Sequence, residues 1–370
     1  MPLQRLLAES RLFRLFATTL AALCAALSLL APAHAADKTQ FRVAWTIYAG
    51  WMPWDYGDQS GIVKKWGKKY GIDIDVVQIN DYVESINQYT AGAFDGCVMT
   101  NMDALTIPAV GGVDSTALIV GDFSNGNDGI VLKGKGKGKD KTLKDIKGQK
   151  VNLVELSVSH YLLARGLESV GLSEKDITTV NTSDADMVAV FASADVTAAV
   201  TWNPLLSELK AVPDTVEVFD SSQIPGEIID LMVVNTETLK KNPALGKALV
   251  GAWYEIMGIM AQDDEAGKKA RAAMGKASGT DLAGFDQQLK TTKLFYQAKD
   301  AVEFARSPAL VDTMRKVAQF SFAHGLLGQN AKSADGVGVA FPGGQTLGDA
   351  KNVKLRFDAD YMNLAATGKL

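Results

Sequence analysis

The sequence predicts an α/β protein built from two lobes, on three observations. Apolar runs of strand length alternate with segments of helical periodicity between residues 41 and 105 and again between 148 and 201. This order implies parallel strands with helices packed on their faces. From Thr236 onward the chain is mainly helical, and its length of 370 residues suits two lobes.

Residues 1–35 have the three parts of an export signal. Arg5, Arg11 and Arg14 form a basic start, residues 15–30 form an apolar core, and an A-x-A cleavage pattern ends at Ala35. A membrane anchor is the weaker alternative, because the apolar core is short for a bilayer. We therefore expect a cleaved signal peptide and an exported protein.

The charge balance argues against one class of partner. The chain has a formal net charge of −4, and cleavage of the signal makes it more acidic because the signal carries three Arg and one Glu. Nucleic acids select basic surfaces, so no nucleic-acid partner is expected. After cleavage Cys97 is the one cysteine left, so no intrachain disulfide can form, and its strand-like surroundings favour a buried thiol.

The first predicted strand runs into a segment crowded with aromatic residues. Gly50 and Pro53 mark this segment as a turn. Ordinary core packing is the alternative for its rings, but a turn rarely holds so many unless they cover something. Tyr48, Trp51 and Trp54 are therefore predicted to form one wall of a ligand site.

Polar side chains stand at the ends of further predicted strands. Asn101 and Asp103 follow the third strand, although Asp103 can equally well be a helix cap. Asp122 and Ser124 lie in residues 121–129, a stretch dense in Gly, Asn and Asp that is predicted to cross between the lobes. Open α/β sheets bind ligands at the carboxyl ends of their strands, so these residues are candidates for ligand contact.

The second lobe centres on residues 148–172, a strand that leads directly into a helix. The strand is predicted over residues 151–156, with Glu155 near its end and Ser157 as the N-cap of the helix. A helix start offers free N–H groups to a ligand. Trp202 ends another predicted strand of this lobe and adds a large ring.

The sequence lacks the patterns of a catalytic, cofactor or metal site. After the signal only His160 and His324 remain, and no zinc-site or hydrolase-nucleophile spacing occurs. His160, next to a helix start, is best explained as a polar first-turn residue. Nothing gives the acidic residues the spacing of a glycosidase pair. A binding protein is the main hypothesis, and an enzyme is the alternative.

Two segments carry a resemblance to a known family. They are FRVAWTIYAGWMPWDYG at residues 41–57 and VNLVELSVSHYLLARGLESVGL at residues 151–172. With the export signal and the alternating lobes, they resemble the substrate-binding proteins of ABC importers, within them the nitrate/sulfonate/taurine group. The two segments are most similar to the branch found alongside urea carboxylase genes. The resemblance covers essentially all of the mature chain.

The resemblance implies a type II-like periplasmic binding protein: two α/β lobes, two crossing strands and a mainly helical C-terminal extension. It implies that residues 36–122 and 237–370 form lobe one and residues 123–236 form lobe two. It further implies a non-enzymatic periplasmic monomer, without a cofactor, that delivers a small molecule to a membrane permease and its cytoplasmic ATPase. The ligand-facing residues it implies are Tyr48, Trp51, Trp54, Asn101, Asp103, Asp122, Ser124, Glu155, Ser157 and Trp202.

The charge of these turns departs from that expected for an anion site. Asp103, Asp122 and Glu155 are acidic. The five turns that hold the ten implied residues contain no Lys or Arg; they are residues 48–54, 101–103, 122–124, 155–157 and 202. Sulfonate or nitrate would be unfavourable beside carboxylates in a dry cleft. A planar cation suits carboxylates and tryptophan faces, which predicts guanidinium as the ligand and neutral urea as the second choice. Taurine or nitrate as ligand, and a periplasmic enzyme or sensor using the same cleft, are the alternatives.

Overall fold

The computed structural model describes residues 38–134 and 140–370. The predicted export signal therefore lies outside the described residues. Within the described ranges, no helix is both long and apolar enough to cross a membrane. This part of the chain forms two β-sheets with helices packed on their faces.

The larger sheet has nine strands among the described residues and is mixed. Three of its strands, β1 (Gln40–Trp45), β2 (Asp73–Gln78) and β3 (Gly96–Thr100), are parallel, as their alternation with helices predicts. In its centre β4 (Ser115–Ser124) pairs antiparallel with β10 (Ile229–Asn235), and both are buried along nearly their whole length. The C-terminal part adds β11 (Thr292–Leu294), β12 (Gly338–Ala340), β13 (Thr346–Leu347) and β14 (Val353–Phe357).

The smaller sheet has five strands in the described residues, in the order β7-β6-β8-β5-β9. The predicted strand over residues 151–156 ends earlier, at Leu153, because the chain turns: Leu156 has a left-handed φ of 63° and Ser157 caps the next helix. The strands are β5 (Asp128–Lys133), β6 (Lys150–Leu153), β7 (Thr178–Asn181), β8 (Ala198–Trp202) and β9 (Thr215–Asp220).

Helices join most of the strands, and side-chain caps mark many of their starts. Asp81 caps the helix after β2, accepting a hydrogen bond of 2.8 Å from the Glu84 N–H. The helices are α1 (Met52–Gln59), α2 (Ile62–Lys69), α3 (Tyr82–Thr90), α4 (Asn101–Ala104), α5 (Val158–Ser169), α6 (Asp184–Ala192), α7 (Leu205–Ala211), α8 (Thr236–Lys241), α9 (Pro243–Met260), α10 (Glu265–Ala277), α11 (Leu282–Leu289), α12 (Ala298–Ala305), α13 (Pro308–Ala323) and α14 (Asp360–Ala366).

Two short segments connect the sheets. Residues 125–127 lead from β4 to β5, and residues 221–228 lead from β9 to β10. We call residues 128–220 the smaller-sheet lobe, and residues 39–124 with 229–370 the larger-sheet lobe. The predicted boundary at residue 236 had assigned β10 to lobe two, whereas β10 lies in the larger sheet.

Candidate ligand-binding site

Strand ends from both lobes surround a small cavity of about 10 Å³. Each residue that lines it is at most 4% exposed, so the cavity is closed to bulk solvent. A cavity of this size holds about one water-sized group. Its lining consists of Tyr48, Trp51, Tyr82, Thr100, Asp128, Val158, Trp202, Ile228 and Asp230.

Four aromatic rings form a continuous wall of this cavity. The ring centroids of Tyr48 and Trp51 are 4.9 Å apart, those of Trp51 and Tyr82 are 5.7 Å apart, and those of Tyr82 and Trp202 are 5.5 Å apart. The first three rings belong to the larger-sheet lobe and Trp202 ends β8 in the smaller-sheet lobe. The wall therefore forms only when the two lobes meet.

Two carboxyl groups line the cavity and a third lies directly behind them. Asp128 starts β5, whereas Asp230 is paired with Asp122 across the antiparallel strands β10 and β4, which brings these two side chains together. The Tyr48 hydroxyl donates a 2.8 Å hydrogen bond to Asp122 Oδ1. Neither Asp122 Oδ2 nor Asp230 Oδ2 accepts a hydrogen bond from an N–H or O–H group in the described chain.

Burial makes these carboxyl groups hard to ionise. It raises the pKa of Asp122 to about 7 and the pKa of Asp128 to about 7. Burial also raises the pKa of Asp230 well above its ordinary value, and the neighbouring charge of Asp122 adds to the rise. Because Asp122 and Asp230 lie side by side, ionising both of them in the closed form is unfavourable.

Asp103 forms a second layer behind the aromatic wall. Its Oδ2 accepts hydrogen bonds from the Tyr82 hydroxyl at 2.7 Å and from the Thr100 hydroxyl at 2.8 Å. Burial still raises the pKa of Asp103 to about 6, although these bonds and one from the Val158 N–H oppose the rise. Asp103 therefore positions Tyr82 and Thr100 and adds negative charge near the cavity.

The cavity has carboxylates without a matching cation. Among the described residues that line it, none is Lys, Arg or His. An ionised carboxylate in such a dry place is unfavourable unless a proton or a cation compensates its charge. The site can therefore accept a positively charged group and the hydrogen bonds that it donates.

The two lobes are in contact around the cavity, so this is a closed form. The Ala49 N–H donates to the Asn203 carbonyl at 3.2 Å, and Trp202 Nε1–H donates to the Ile47 carbonyl at 3.3 Å. A third interlobe hydrogen bond of 3.1 Å runs from the Tyr82 N–H to Asp184 Oδ1. Opening of the lobes would break all three bonds and expose the cavity.

Comparison with known proteins identifies the family. Residues 61–266, more than half of the chain, match the family described as NMT1/THI5 like. The chain belongs to the NMT1/THI5-like family. Two proteins named as binding proteins, from Brucella abortus and Brucella suis, are each 27% identical to this NMT1/THI5-like chain over 241 residues, which is 64% of this chain and 72% of theirs.

Solved structures share the fold of this NMT1/THI5-like chain. The alkanesulfonate-binding protein SsuA of Xanthomonas axonopodis, bound to MOPS, has a TM-score of 0.64 at 18% identity, covering 81% of this chain and 98% of SsuA. The periplasmic nitrate-binding protein NrtA of Synechocystis has a TM-score of 0.58 at 14% identity, covering 89% of this chain and 99% of NrtA. At such identities the similarity shows the fold alone, and it confirms the predicted two-lobed α/β fold of periplasmic binding proteins.

Three of the residues predicted from the sequence line the cavity. They are Tyr48, Trp51 and Trp202. Asp122 and Asp103 lie one layer behind the lining and are hydrogen-bonded to it through Tyr48 and Tyr82.

Trp54 does not reach the cavity. The segment predicted as an aromatic turn contains the start of helix α1, and this helix directs Trp54 toward α9. Its ring packs against Trp253, with centroids 5.2 Å apart, and is 1% exposed. Trp54 is therefore a core residue in this structure.

Glu155 and Ser157 also lie outside the cavity lining. Because β6 ends at Leu153, Glu155 falls in the following turn, where it is partly exposed and its N–H donates to Asn181 Oδ1 at 3.0 Å. Ser157 caps α5, accepting a hydrogen bond from the Ser159 N–H. The prediction that Glu155 supplies the counter-charge is not supported by its position.

Asn101 and Ser124 brace the segments that connect the sheets. The Asn101 side chain donates to the Glu227 carbonyl at 3.2 Å and accepts from the Ile229 N–H at 3.1 Å. Ser124 Oγ contacts Ser221 Oγ at 2.6 Å and accepts from the Asp128 N–H at 3.1 Å. Ser124 thus positions Asp128 rather than lining the cavity itself.

Asp128, Asp230 and Tyr82 line the cavity but were not predicted from the sequence. Asp128 was visible as the last acidic residue of the Gly/Asn/Asp-rich crossing stretch. Asp230 had no local signal, since its place depends on pairing with Asp122 in a distant part of the chain. Tyr82 follows the helix cap Asp81, but only the tertiary fold shows which face of α3 it occupies.

Proposed function

We propose that this NMT1/THI5-like protein is the exported substrate-binding component of an ABC importer for a small cation. Guanidinium is the preferred ligand and urea the second choice. The observation that carries the proposal is the pair of buried carboxyl groups, Asp128 and Asp230, in a cavity whose described lining has no cationic side chain. A ligand that brings its own positive charge removes the penalty of burying these groups ionised.

The groups around the cavity match guanidinium in two further respects. Its planar N–H groups can donate in pairs to carboxylates, and the unpartnered Oδ2 atom of Asp230, which lines the cavity, is an acceptor for such a donor. Its flat face can stack on Trp51 or Trp202, where each cation–π contact contributes about 0.5–2 kcal/mol. Urea has similar N–H donors but no charge, so it leaves the carboxylates uncompensated.

An anionic ligand is the poorer match. Relatives of the same fold are named for binding alkanesulfonate and nitrate. Here an anion would lie beside Asp128 and Asp230 with no lining cation to attract it.

The same charges explain how a ligand would drive closure. In an open form water solvates the carboxylates, whereas closure without a ligand buries them. A cation therefore binds the closed form far better than the open one, and this difference in affinity shifts the population toward closure. We propose that the closed, loaded protein works as a periplasmic monomer and is the form that delivers ligand to a membrane permease and its ATPase.

Calorimetry on the mature protein tests the proposal. Guanidinium, ammonium, urea, taurine and nitrate would be titrated in turn at pH 7.5, and each mixture would be checked by NMR for turnover. We expect guanidinium to bind most tightly and to be recovered unchanged. Tighter binding of nitrate or taurine would refute the cation proposal, and conversion of guanidinium to a product would refute the binding-protein proposal.

A further inference from the structure

A second interlobe contact lies outside the cavity, where α5 meets the end of α13. His160 on α5 and Glu174 in the short turn Glu174–Asp176 belong to the smaller-sheet lobe, and His324 follows α13 of the larger-sheet lobe. Glu174 Oε1 contacts His160 Nε2, and Glu174 Oε2 is 2.5 Å from His324 Nε2. Glu174 and His324 border a groove of about 600 Å³, so solvent protons can reach them.

Hydrogen bonding fixes the protonation of His324. Its Nδ1 is 2.9 Å from the Phe320 carbonyl oxygen, which can only accept, so Nδ1 carries a hydrogen. Its Nε2 faces the Glu174 carboxylate, which also only accepts when ionised. The His160 and His324 hydrogen bonds lower the pKa of Glu174 to about 2, so Glu174 is ionised. Both nitrogens of His324 must therefore be protonated when this contact is made.

His160 has a different role in the same cluster. The Leu156 N–H donates to His160 Nδ1 at 3.1 Å, so the hydrogen of a neutral His160 is on Nε2 and is donated to Glu174. This Nε2 has no lone pair to offer, which disfavours a metal ion held by the three side chains. His160 orients Glu174 within its own lobe, and only His324 joins the two lobes.

Most charged groups around the cluster are paired. Arg165 on α5 and Lys316 on α13 both bind the Glu227 carboxylate, at 2.9 Å and 2.6 Å. The other titratable groups on the elements that meet here are Tyr161, bonded to Glu227, Glu168, paired with Arg165, Asp312 and Arg315, paired with each other, Asp176, paired with Lys147, and Lys175.

We propose that the His324–Glu174 contact is a proton-dependent latch, which holds the lobes closed while His324 is protonated and releases them when it loses its proton. The hydrogen bond to Glu174 raises the pKa of His324 above its ordinary value, about 6.5. The latch is therefore fully present below pH 6.5 and is lost as the pH rises through the raised pKa of His324. It rests on the lobe motion of the proposed function but not on the identity of the ligand.

NMR titration of the histidine rings tests the latch directly. Long-range ¹⁵N spectra of the mature protein would be recorded from pH 5.5 to pH 9 with saturating guanidinium chloride, or without addition if guanidinium does not bind. We expect both ring nitrogens of His324 to stay protonated to a higher pH in the wild type than in Glu174→Gln. We expect neutral His160 to be the Nε2–H tautomer. Identical titration of His324 in both proteins would overturn the latch, whatever the ligand experiments show.

Release kinetics test its effect on the lobes. We expect guanidinium to dissociate about two- to fivefold more slowly at pH 6 than at pH 9, the scale of a half-exposed ion pair, and His324→Gln to remove this difference. Lys316→Met is the matched control, since it breaks a permanent ion pair between α13 and Glu227 in the connecting segment and should speed release equally at both pH values. A wild-type pH dependence in His324→Gln would contradict the latch. Slower release in the presence of Zn²⁺ that requires both histidines would also contradict the latch, because that result identifies a metal site.

Discussion

Two regions where the lobes meet differ in whether a cation compensates the charge of a buried carboxylate. At the junction of α5 and α13, Glu227 is 6% exposed and bound by Arg165, Lys316 and the Tyr161 hydroxyl. In the cavity, Asp128 and Asp230 are each 3% exposed and have no cationic partner in the described lining. Burial is thus similar at the two places, but charge compensation is not.

The pKa values of the buried carboxyl groups reflect this difference in charge compensation. Although burial raises it, the hydrogen bonds from Arg165, Lys316 and Tyr161 leave the pKa of Glu227 below its ordinary value. Burial without such partners raises the pKa of Asp128 to about 7. The fold can clearly place cations beside a buried carboxylate, so their absence from the cavity lining indicates that a ligand or a proton supplies the positive charge.

Trp54 and Trp202 were both predicted to face the ligand, but their substitution should have very different effects on stability. Trp54→Ala empties a core position and should lower the free energy of unfolding of the ligand-free protein by about 3–5 kcal/mol. Trp202→Ala should mainly weaken guanidinium binding, by about 0.5–2 kcal/mol for the lost cation–π contact. Thermal unfolding of the ligand-free protein measures the first effect, and calorimetric titration with guanidinium measures the second. If Trp54→Ala weakens binding but leaves stability unchanged, Trp54 belongs to the site after all.

Substitution of two carboxylates, Asp128 and Glu155, should have very different effects on guanidinium affinity. Asp128→Asn removes a charge from the cavity wall and should reduce guanidinium affinity by about 2–5 kcal/mol, and urea affinity much less. Glu155→Gln removes a charge from the partly exposed turn after β6 and should change guanidinium affinity by less than about 1 kcal/mol. Calorimetry on both variants shows which of the two carboxylates contributes the counter-charge to guanidinium. A larger loss in Glu155→Gln would restore the counter-charge role predicted from the sequence.

Part of this outcome was accessible from the sequence and part was not. Strand-length runs and capping residues such as Ser157 predicted the alternation of β-strands and α-helices, because these signals are local. The aromatic-rich segment and the rule that ligands lie at strand ends pointed to Tyr48, Trp51 and Trp202, which line the cavity. The same rule selected Glu155, but β6 ends at Leu153, three residues before the predicted end of the strand, so Glu155 lies in the following turn.

The acidic pair at the cavity depends on non-local pairing. Asp122 and Asp230 meet because β4 and β10 are adjacent and antiparallel, and no local pattern specifies that register. Trp54 was misplaced for a related reason. Its orientation is set by α1 packing on α9, a contact between segments about 200 residues apart in the chain.

A smaller effect should appear in the closure equilibrium of the ligand-free protein. Asp230→Asn keeps an N–H donor for Asp122 but removes an ionisable group from the cavity, so it should favour the closed form at pH 8. Glu227→Gln removes the charge that holds Arg165 and Lys316 together and should favour the open form by about 1 kcal/mol or less. Small-angle scattering should give a smaller radius of gyration for the first variant than for the second, and the reverse order would contradict the comparison.

The ratio of guanidinium affinity to urea affinity as a function of pH tests the central claim most directly. Closure around neutral urea leaves Asp122 and Asp128 with a pKa of about 7, above the value in an open, hydrated cleft. Urea binding should therefore take up protons and tighten as the pH falls from 8 to 5.5, whereas guanidinium replaces those protons. The His324 latch acts equally on both ligands and cancels from the ratio. We predict that the ratio, measured by calorimetry, rises about tenfold or more from pH 5.5 to pH 8. A ratio that stays constant over this range would contradict the claim that the ligand supplies the missing positive charge.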